Sequence, residues 1–360
     1  MKKKLLSLCA VAVILLAACS NQSISSQDDH PNSQKVKDSL GKVVWVPKKV
    51  NRIAALYAPV GYIITLLGQG NKMVAVPGGL QRDKLLGTIV PSVQHAEVPQ
   101  EGGKINIEEL AKARPDLVFI NPESANDASQ IKKLDQLHIP YIYVDFHSIK
   151  QQQNAIKLIG DLLGEKEKAE KYINYYNKKV SLVENRIKSI PEKKRVRVYH
   201  SINEATRTDT PDTISADWLQ KAGAINVSVN EKLKMIDNKY FSSIEQILLW
   251  NPSVILANEQ GVDAYIRNQS QLKNVDAVKN GKVYLLPDGI TRWGHPESIE
   301  IPLVTIWTAK LLYPSKFHDI DMNTEIKDYY QTFFSLSLKD EQIKQILTGT
   351  GMRISKEGTQ

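Results

Sequence analysis

The sequence predicts an α/β protein of two similar lobes, each with a mostly parallel sheet, joined by one long rigid α-helix. Three observations carry that expectation. First, one phrase occurs twice: residues 106–121 read NIEELAKARPDLVFIN and residues 243–258 read SIEQILLWNPSVILAN, so Ile107 matches Ile244, Glu108 matches Glu245, Pro115 matches Pro252 and Asn121 matches Asn258. Each copy opens on an N-cap residue, Asn106 or Ser243, has Glu109 or Gln246 three places later, and meets a proline that stops the helix before an apolar, β-rich run. A helix-then-buried-strand unit used twice implies two lobes with a cleft between them, and ligand sites favour such clefts. Second, residues 165–190 contain neither glycine nor proline, and Ile173, Tyr176, Val180, Val183 and Ile187 recur at spacings of three and four as one apolar stripe. A helix of about 25 residues is near 37 Å long, enough to run from lobe to lobe as a stiff hinge; the competing reading makes it a peripheral helix of one lobe. Third, the roughly 325 residues that follow the leader and tether exceed the usual single core and suit two domains.

The elements follow in chain order. Lys2, Lys3 and Lys4 precede an apolar run from Leu5 to Leu16, then Ala17, Ala18 and Cys19. That is the basic, apolar and small-residue sequence of a signal peptide over residues 1–18, with a run too short for a membrane span. The segment LAAC at 16–19 also resembles the bacterial lipoprotein box, in which Cys19 would begin the mature chain and carry lipid; the competing reading is an ordinary secretory signal. The other cysteine, Cys9, lies inside the leader, so the mature chain cannot form an internal disulfide. Residues 19–36 are rich in Ser, Gln, Asn and Asp and read as a flexible tether, reaching roughly 20 to 25 Å as a coil. The expected location is therefore exported and lipid-anchored on the extracytoplasmic face of the cell membrane. The formal charge of +8 falls to +5 when the leader takes away its three lysines. That excess suits an anionic ligand or surface and is too dispersed for nucleic acid.

The first lobe, residues 37–164, should open on a hairpin through VKDSLGKVVWVP at 36–47, turning at Ser39 to Gly41. Strands are expected at 52–56, 73–76, 117–120 and 141–144, with helical patterns between them, which implies parallel strands joined by crossover helices. The linking helix occupies 165–190. The second lobe, residues 191–360, should begin with a strand at 195–200 and continue through strands at 254–257 and 283–286. Turn chemistry fills Asp209 to Asp217, a helix starts near Trp218, and another runs from Glu297 to Leu312, ended by Pro314.

Open α/β sheets bind ligands at the carboxyl ends of their strands. The loops there hold Tyr57, Ala58 and Pro59; Gly78 to Arg82; Asn121 to Glu123; Asn203 to Arg207; and Thr291 to His295. The candidate contacts are Tyr57, Arg82, Arg207, Arg292, Trp293 and His295. Arginines pair with carboxylate or catecholate oxygens, and Tyr and Trp cover flat surfaces. Against each arginine stands the reading of a solvated surface residue, and against His295 that of a cap on a helix starting at Pro296. No enzyme is expected: there is no Gly-x-Ser-x-Gly, no His-Glu-x-x-His and no phosphate loop, and LGQG at 67–70 lacks a third glycine. A lipoprotein hydrolase is the remote alternative. A bare-metal binder is disfavoured because the seven histidines are scattered, which leaves His295 as a single metal ligand inside a chelate.

The ordered set DSLGKVVWVP from Asp38, NRI from Asn51, Leu67-Gly68, IEEL from Ile107 with PDLV from Pro115, Ala222-Gly223 with Asn226, Ile244-Glu245 and Asn251-Pro252 resembles the binding proteins of bacterial ABC importers for iron-siderophores, haem and cobalamin, over nearly all of residues 37–350. The resemblance implies two Rossmann-like lobes and a monomer that holds a ligand between them. It also implies docking onto an ABC permease dimer driven by ATPase subunits. The implied cargo is an iron(III) chelate, a ferric siderophore before haem, cobalamin or a nickel or other transition-metal complex; the covalent group is the lipid on Cys19. Bare-metal relatives would offer His where the first strand ends at Tyr57. In related proteins the glutamates matching Glu108 and Glu245 form salt bridges with permease arginines, with Glu109 as participant if the register shifts by one. The plainer reading is that each carboxylate stabilises its own helix by about 0.3 to 1 kcal/mol through the helix dipole.

Overall fold

The computed structural model describes residues 31–101, 104–237 and 239–354; the leader, Cys19 and most of the tether lie outside the described residues. Two four-stranded parallel sheets form the lobes. The first has the order Met73–Ala75, Ile53–Ala55, Leu117–Ile120, Tyr141–Tyr143, and the second Ile225–Asn226, Arg197–Ser201, Val254–Ala257, Val283–Leu285. The repeated phrase occupies equivalent places: the helices Ile107–Lys112 and Ile244–Trp250 each lead into a central strand.

Those central strands are apolar on both faces because both faces are covered. Side chains alternate along a strand. Leu117 and Phe119 therefore join Val254 and Leu256 in one large core shared by the lobes, while Val118 and Ile120 pack into a separate outer core of the first lobe and Ile255 into that of the second.

The long helix runs Lys166–Ile187, its predecessor Ile149–Leu163 ending at Gly164 in the left-handed conformation that closes helices, φ +74°. Its buried stripe is Ala169, Tyr172, Tyr176, Val180, Val183 and Ile187; Tyr172 takes the place foreseen for Ile173, which is only half-buried. The Tyr172 ring meets Phe333 edge-on at 5.2 Å, and Arg186 forms a bidentate pair with Asp319 at 2.5 and 2.8 Å. Burying an aromatic or aliphatic side chain of that stripe contributes about 1.5–3 kcal/mol each, so the helix is a packed beam and not a hinge strand.

Several boundaries differ from expectation. The first hairpin pairs Ser33–Lys37 with Val43–Pro47, taking in residues the composition gave to the tether, because pairing to an apolar partner strand fixes polar residues that cannot bury themselves. The helix expected near Trp218 begins at Ile214, capped by the Thr213 side chain, which accepts from the Ala216 N–H at 3.2 Å. The late helix begins at Ile301 and not at Pro296 or Glu297. Residues 296–300 are held in a turn because Ser298 and Glu300 point into a buried network with Thr291. The last described residues leave the second lobe: Lys84 N–H donates to the Met352 carbonyl, and Ile354 N–H donates to the Arg82 carbonyl at 2.9 Å.

Candidate ligand-binding site

The strand ends of both lobes open toward one another. Tyr57 follows the strand Ile53–Ala55 and sits against Phe146, ring centroids 6.4 Å apart. Arg82 ends a short helix after Met73–Ala75. From the second lobe come Asn203 and Arg207 after Arg197–Ser201, and Asp288 to Glu297 after Val283–Leu285. The loop at 291–295 turns on Gly294, φ +77°, where an added Cβ would meet Leu286, the Trp218 ring and the His200 ring within 3.2 Å.

Four arginines gather here. Arg292 is ion-paired with Glu259 and donates to Asn203 Oδ1 at 2.6 Å. Arg353, from the C-terminal segment, pairs with Asp83 at 2.7 Å. Arg82 and Arg207, one from each lobe, have no ion pair or side-chain hydrogen bond among the described residues, and both lie in the field of Arg292. Burial first, and then the neighbouring guanidiniums, lower the proton affinity of both. They remain charged because a guanidinium titrates far above neutrality. Glu204, Glu297 and Asp209 pull the other way on Arg207, as Asp83 and Glu259 do on Arg82, but none of them is in ion-pair contact among the described residues, so both guanidiniums keep donors for an anion.

His295 is buried, and its Nδ1 accepts the Glu297 N–H at 3.2 Å. Burial, then Arg292, Arg207 and Arg353, hold its pKa well below the usual histidine range, so the ring is neutral at pH 7. Its 3.8 Å approach to the Glu297 carboxylate is therefore not an ion pair. A neutral imidazole with Nδ1 occupied by an N–H carries its proton on Nε2 and can donate from it. The capping expected of His295 is made to this local turn and not to a helix. Tyr57 is held as a neutral phenol by burial and by Glu297, Asp145 and Glu123.

The structure removes Trp293 from the contact set. Its side chain is wholly buried, because the glycine turn after it points the one large apolar side chain of this loop into the core. Asp83, Tyr62, Asp288 and Arg353 carry no local sequence signal of a site. Asp83 and Arg353 meet across most of the chain length, and the only local hint was an arginine near the C-terminus. Among the described residues no group of three or more His, Cys, Asp or Glu could hold a metal ion.

The model of the family described as periplasmic binding protein matches residues 53–289. The chain belongs to that family. This binding protein is similar over 91% of its length, and 97% of the relative's, to the molybdate-binding protein MolA of Haemophilus influenzae, at 26% identity. The solved MolA structure with molybdate superimposes with a TM-score of 0.75 over 85% of this chain and 99% of that one, at 25% identity. The haem uptake protein IsdE of Staphylococcus aureus is 26% identical over 55% of this chain and 70% of its own. A CeuE structure of Helicobacter pylori with Ni(II) shares the fold, TM-score 0.70 over 87% of this chain and 99% of that one, at 20% identity. MolA is named as the periplasmic binding protein of an ABC transporter and IsdE as a protein of a haem uptake system. The chain is a substrate-binding protein of an ABC importer, and the family implies an extracytoplasmic location; no described helix is long and apolar enough to cross a membrane.

In the binding protein Glu108 and Glu245 are both exposed at the second position of their helices, and Glu109 is half-buried. Asn106 accepts from the Glu108 and Glu109 N–H groups at 3.1 and 3.3 Å, and Ser243 with Gln246 closes a full capping box. The Glu245 carboxylate also accepts from its own N–H and from the Ser243 hydroxyl, which lower its pKa, so it contributes to its own helix start as the plainer reading expects.

Proposed function

We propose that this binding protein captures an oxygen-rich anionic metal complex, a ferric siderophore before others, between Arg82 and Arg207 and delivers it to a permease dimer that grips Glu108 and Glu245. The observation that carries the ligand reading is the pair of unpartnered guanidiniums, one on each lobe, converging on Arg292. A charge-assisted hydrogen bond contributes about 1.5–3 kcal/mol, so an anion bridging them holds both lobes at once. Arg292 and Tyr57 complete the walls. His295 would offer Nε2 to the ligand, as a donor or, in the other tautomer, as a single ligand to its metal. Haem, whose propionates are also carboxylates, and a nickel complex are variants of the same chemistry.

A second reading, a bare metal oxyanion, is favoured by one finding: MolA, similar over nearly the whole chain, is a molybdate-binding protein. Native mass spectrometry of the mature protein from iron-limited and from molybdate-supplemented cultures separates the two by ligand mass. Arg82→Ala and Arg207→Ala should each weaken binding of the identified ligand by about tenfold or more. A neutral or cationic co-purified ligand, or unchanged affinity in both variants, would refute the anion cleft.

A further inference from the structure

A small antiparallel sheet stands beside the arginine cluster. Lys234–Ile236 pairs with Lys239–Phe241, placing Lys234 opposite Phe241, Met235 opposite Tyr240 and Ile236 opposite Lys239. Phe241 is also opposite Arg207. The bonds on either side, Thr208 N–H to the Tyr240 carbonyl at 3.0 Å and Ser242 N–H to the Thr206 carbonyl at 2.8 Å, make Arg207 and Phe241 the non-hydrogen-bonded kind of pair, in which side chains stand closest.

Side chains alternate along strands and match across them. Arg207, Phe241, Lys234, Ile236 and Lys239 consequently share one face, with Arg207 in the field of Glu204, Arg292 and Glu297, while Met235 and Tyr240 take the other. The shared face holds three cations, an aromatic ring and an aliphatic chain, and none of the paired residues on it is acidic. Neither lysine is ion-paired among the described residues, Ile236 is 43% exposed, and Phe241 is half-buried. With strands about 4.8 Å apart and about 3.3 Å per residue, the strip continues roughly 10 Å outward from Arg207. A compact oxyanion at Arg207 cannot reach its far end.

We propose that this face is a second recognition surface, continuous with the arginine cluster, and that the cargo is an extended anionic chelate with a flat or apolar body, not a bare oxyanion. Charge complementarity and continuity with the cleft select that occupant. The inference rests on the anion-cleft reading, and the test separates the two. The mature soluble chain, Lys234→Glu with Lys239→Glu, Ile236→Ser, and Arg207→Ala would be titrated by intrinsic fluorescence with a ferric tris-catecholate, haemin and molybdate, after a melting curve shows that each variant is folded. The expected result is binding of one of the two chelates by the wild type. The lysine reversal should weaken it at least thirtyfold and Ile236→Ser about fivefold, with any molybdate binding changed less than twofold, and Arg207→Ala should weaken every anion that binds. Unchanged chelate affinity in both hairpin variants, or tight molybdate binding with no chelate binding, overturns the hairpin proposal and leaves the anion cleft standing. A wild type that binds none of the three overturns both.

Discussion

Replacing Arg353 by Met should destabilise the protein in a pH-dependent way. The side chain of Asp83 is only 2% accessible, its carboxylate accepts from the Tyr62 hydroxyl, and Arg353, 18% accessible, sits 2.7 Å away. Removing one partner of a buried pair costs about 3–5 kcal/mol when the other must stay charged. Asp83 has an escape: burial has already pushed its pKa up to about 6 even with Arg353 in place, so without the guanidinium it takes up a proton near neutrality. That relief puts the loss at about 3 kcal/mol at pH 8. At pH 5 Asp83 is mostly protonated in the wild type as well, and the loss shrinks to about 1 kcal/mol or less. The sign follows from linkage. A carboxylate whose folded pKa lies above its unfolded one contributes stability below the unfolded value and loses it as pH rises through the folded value. Removing Arg353 moves the folded value higher, so the gap between variant and wild type opens above about pH 6. Urea unfolding at pH 5 and pH 8 measures it, and thermal melting should show a drop of roughly 4–5 °C at pH 8 for a chain of this length. Equal losses at both pH values would mean that only the packed stem of Arg353 matters. No loss at either would refute the clamp, and with it the idea that the C-terminal segment holds the Arg82 loop in place.

Three further outcomes are expected. Glu108→Ala with Glu245→Ala should leave ligand affinity within about 1 kcal/mol while uptake in a reconstituted vesicle assay falls steeply; normal uptake would reduce both residues to helix-end charges. Asp288, with its pKa raised to about 7 by burial and by Asp83 and Glu300 against the opposing pull of Arg353 and Arg292, loses its charge as pH falls from 8 to 6. Anion affinity should therefore rise over that interval, and Asp288→Asn should bind at pH 8 as the wild type does at pH 6; a flat wild-type profile would contradict this. Cys19→Ser should release soluble, ligand-competent protein from expressing cells, and its retention in salt-washed membranes would argue against the lipid anchor.

The parts legible in the sequence were those whose signal is local. The strands Leu117–Ile120 and Val254–Ala257 were placed correctly because each is a continuous apolar run between a helix-stopping proline and an asparagine. The long helix declared itself by its stripe and by the absence of breakers. Elements that start on polar, partly buried residues are not legible in the same way. Thr213 caps a helix from within what read as turn chemistry, and Ser298 and Glu300 are buried polar residues that resemble a helix start until their partners Thr291 and Tyr330 are known. Arg82, Arg207 and Arg292 could be proposed from their loops, but which of them is already neutralised could not. Glu259, the partner of Arg292, lies beyond the strand end on a different loop, and Arg353 reaches the site by a return of the chain that no local pattern encodes.

The docking and ligand proposals draw on different parts of the duplicated unit. Each lobe sets a hairpin immediately before its capped helix, Gln100–Glu101 with Lys104–Ile105 in the first and Lys234–Ile236 with Lys239–Phe241 in the second. The helix starts that follow are nearly alike, each with an exposed glutamate at its second position. The hairpins differ: the first pairs two residues on each side and the second three, and among the described residues only the second is joined, through Phe241, to a cleft arginine. In the proposed assembly the permease is a dimer, so it requires the two rims to match, and there the repeat kept its form. A chelate imposes no such match, which agrees with a hairpin that differs between the lobes. Changes confined to Lys234, Ile236 or Lys239 should accordingly alter which ligand is carried without altering how the carrier docks.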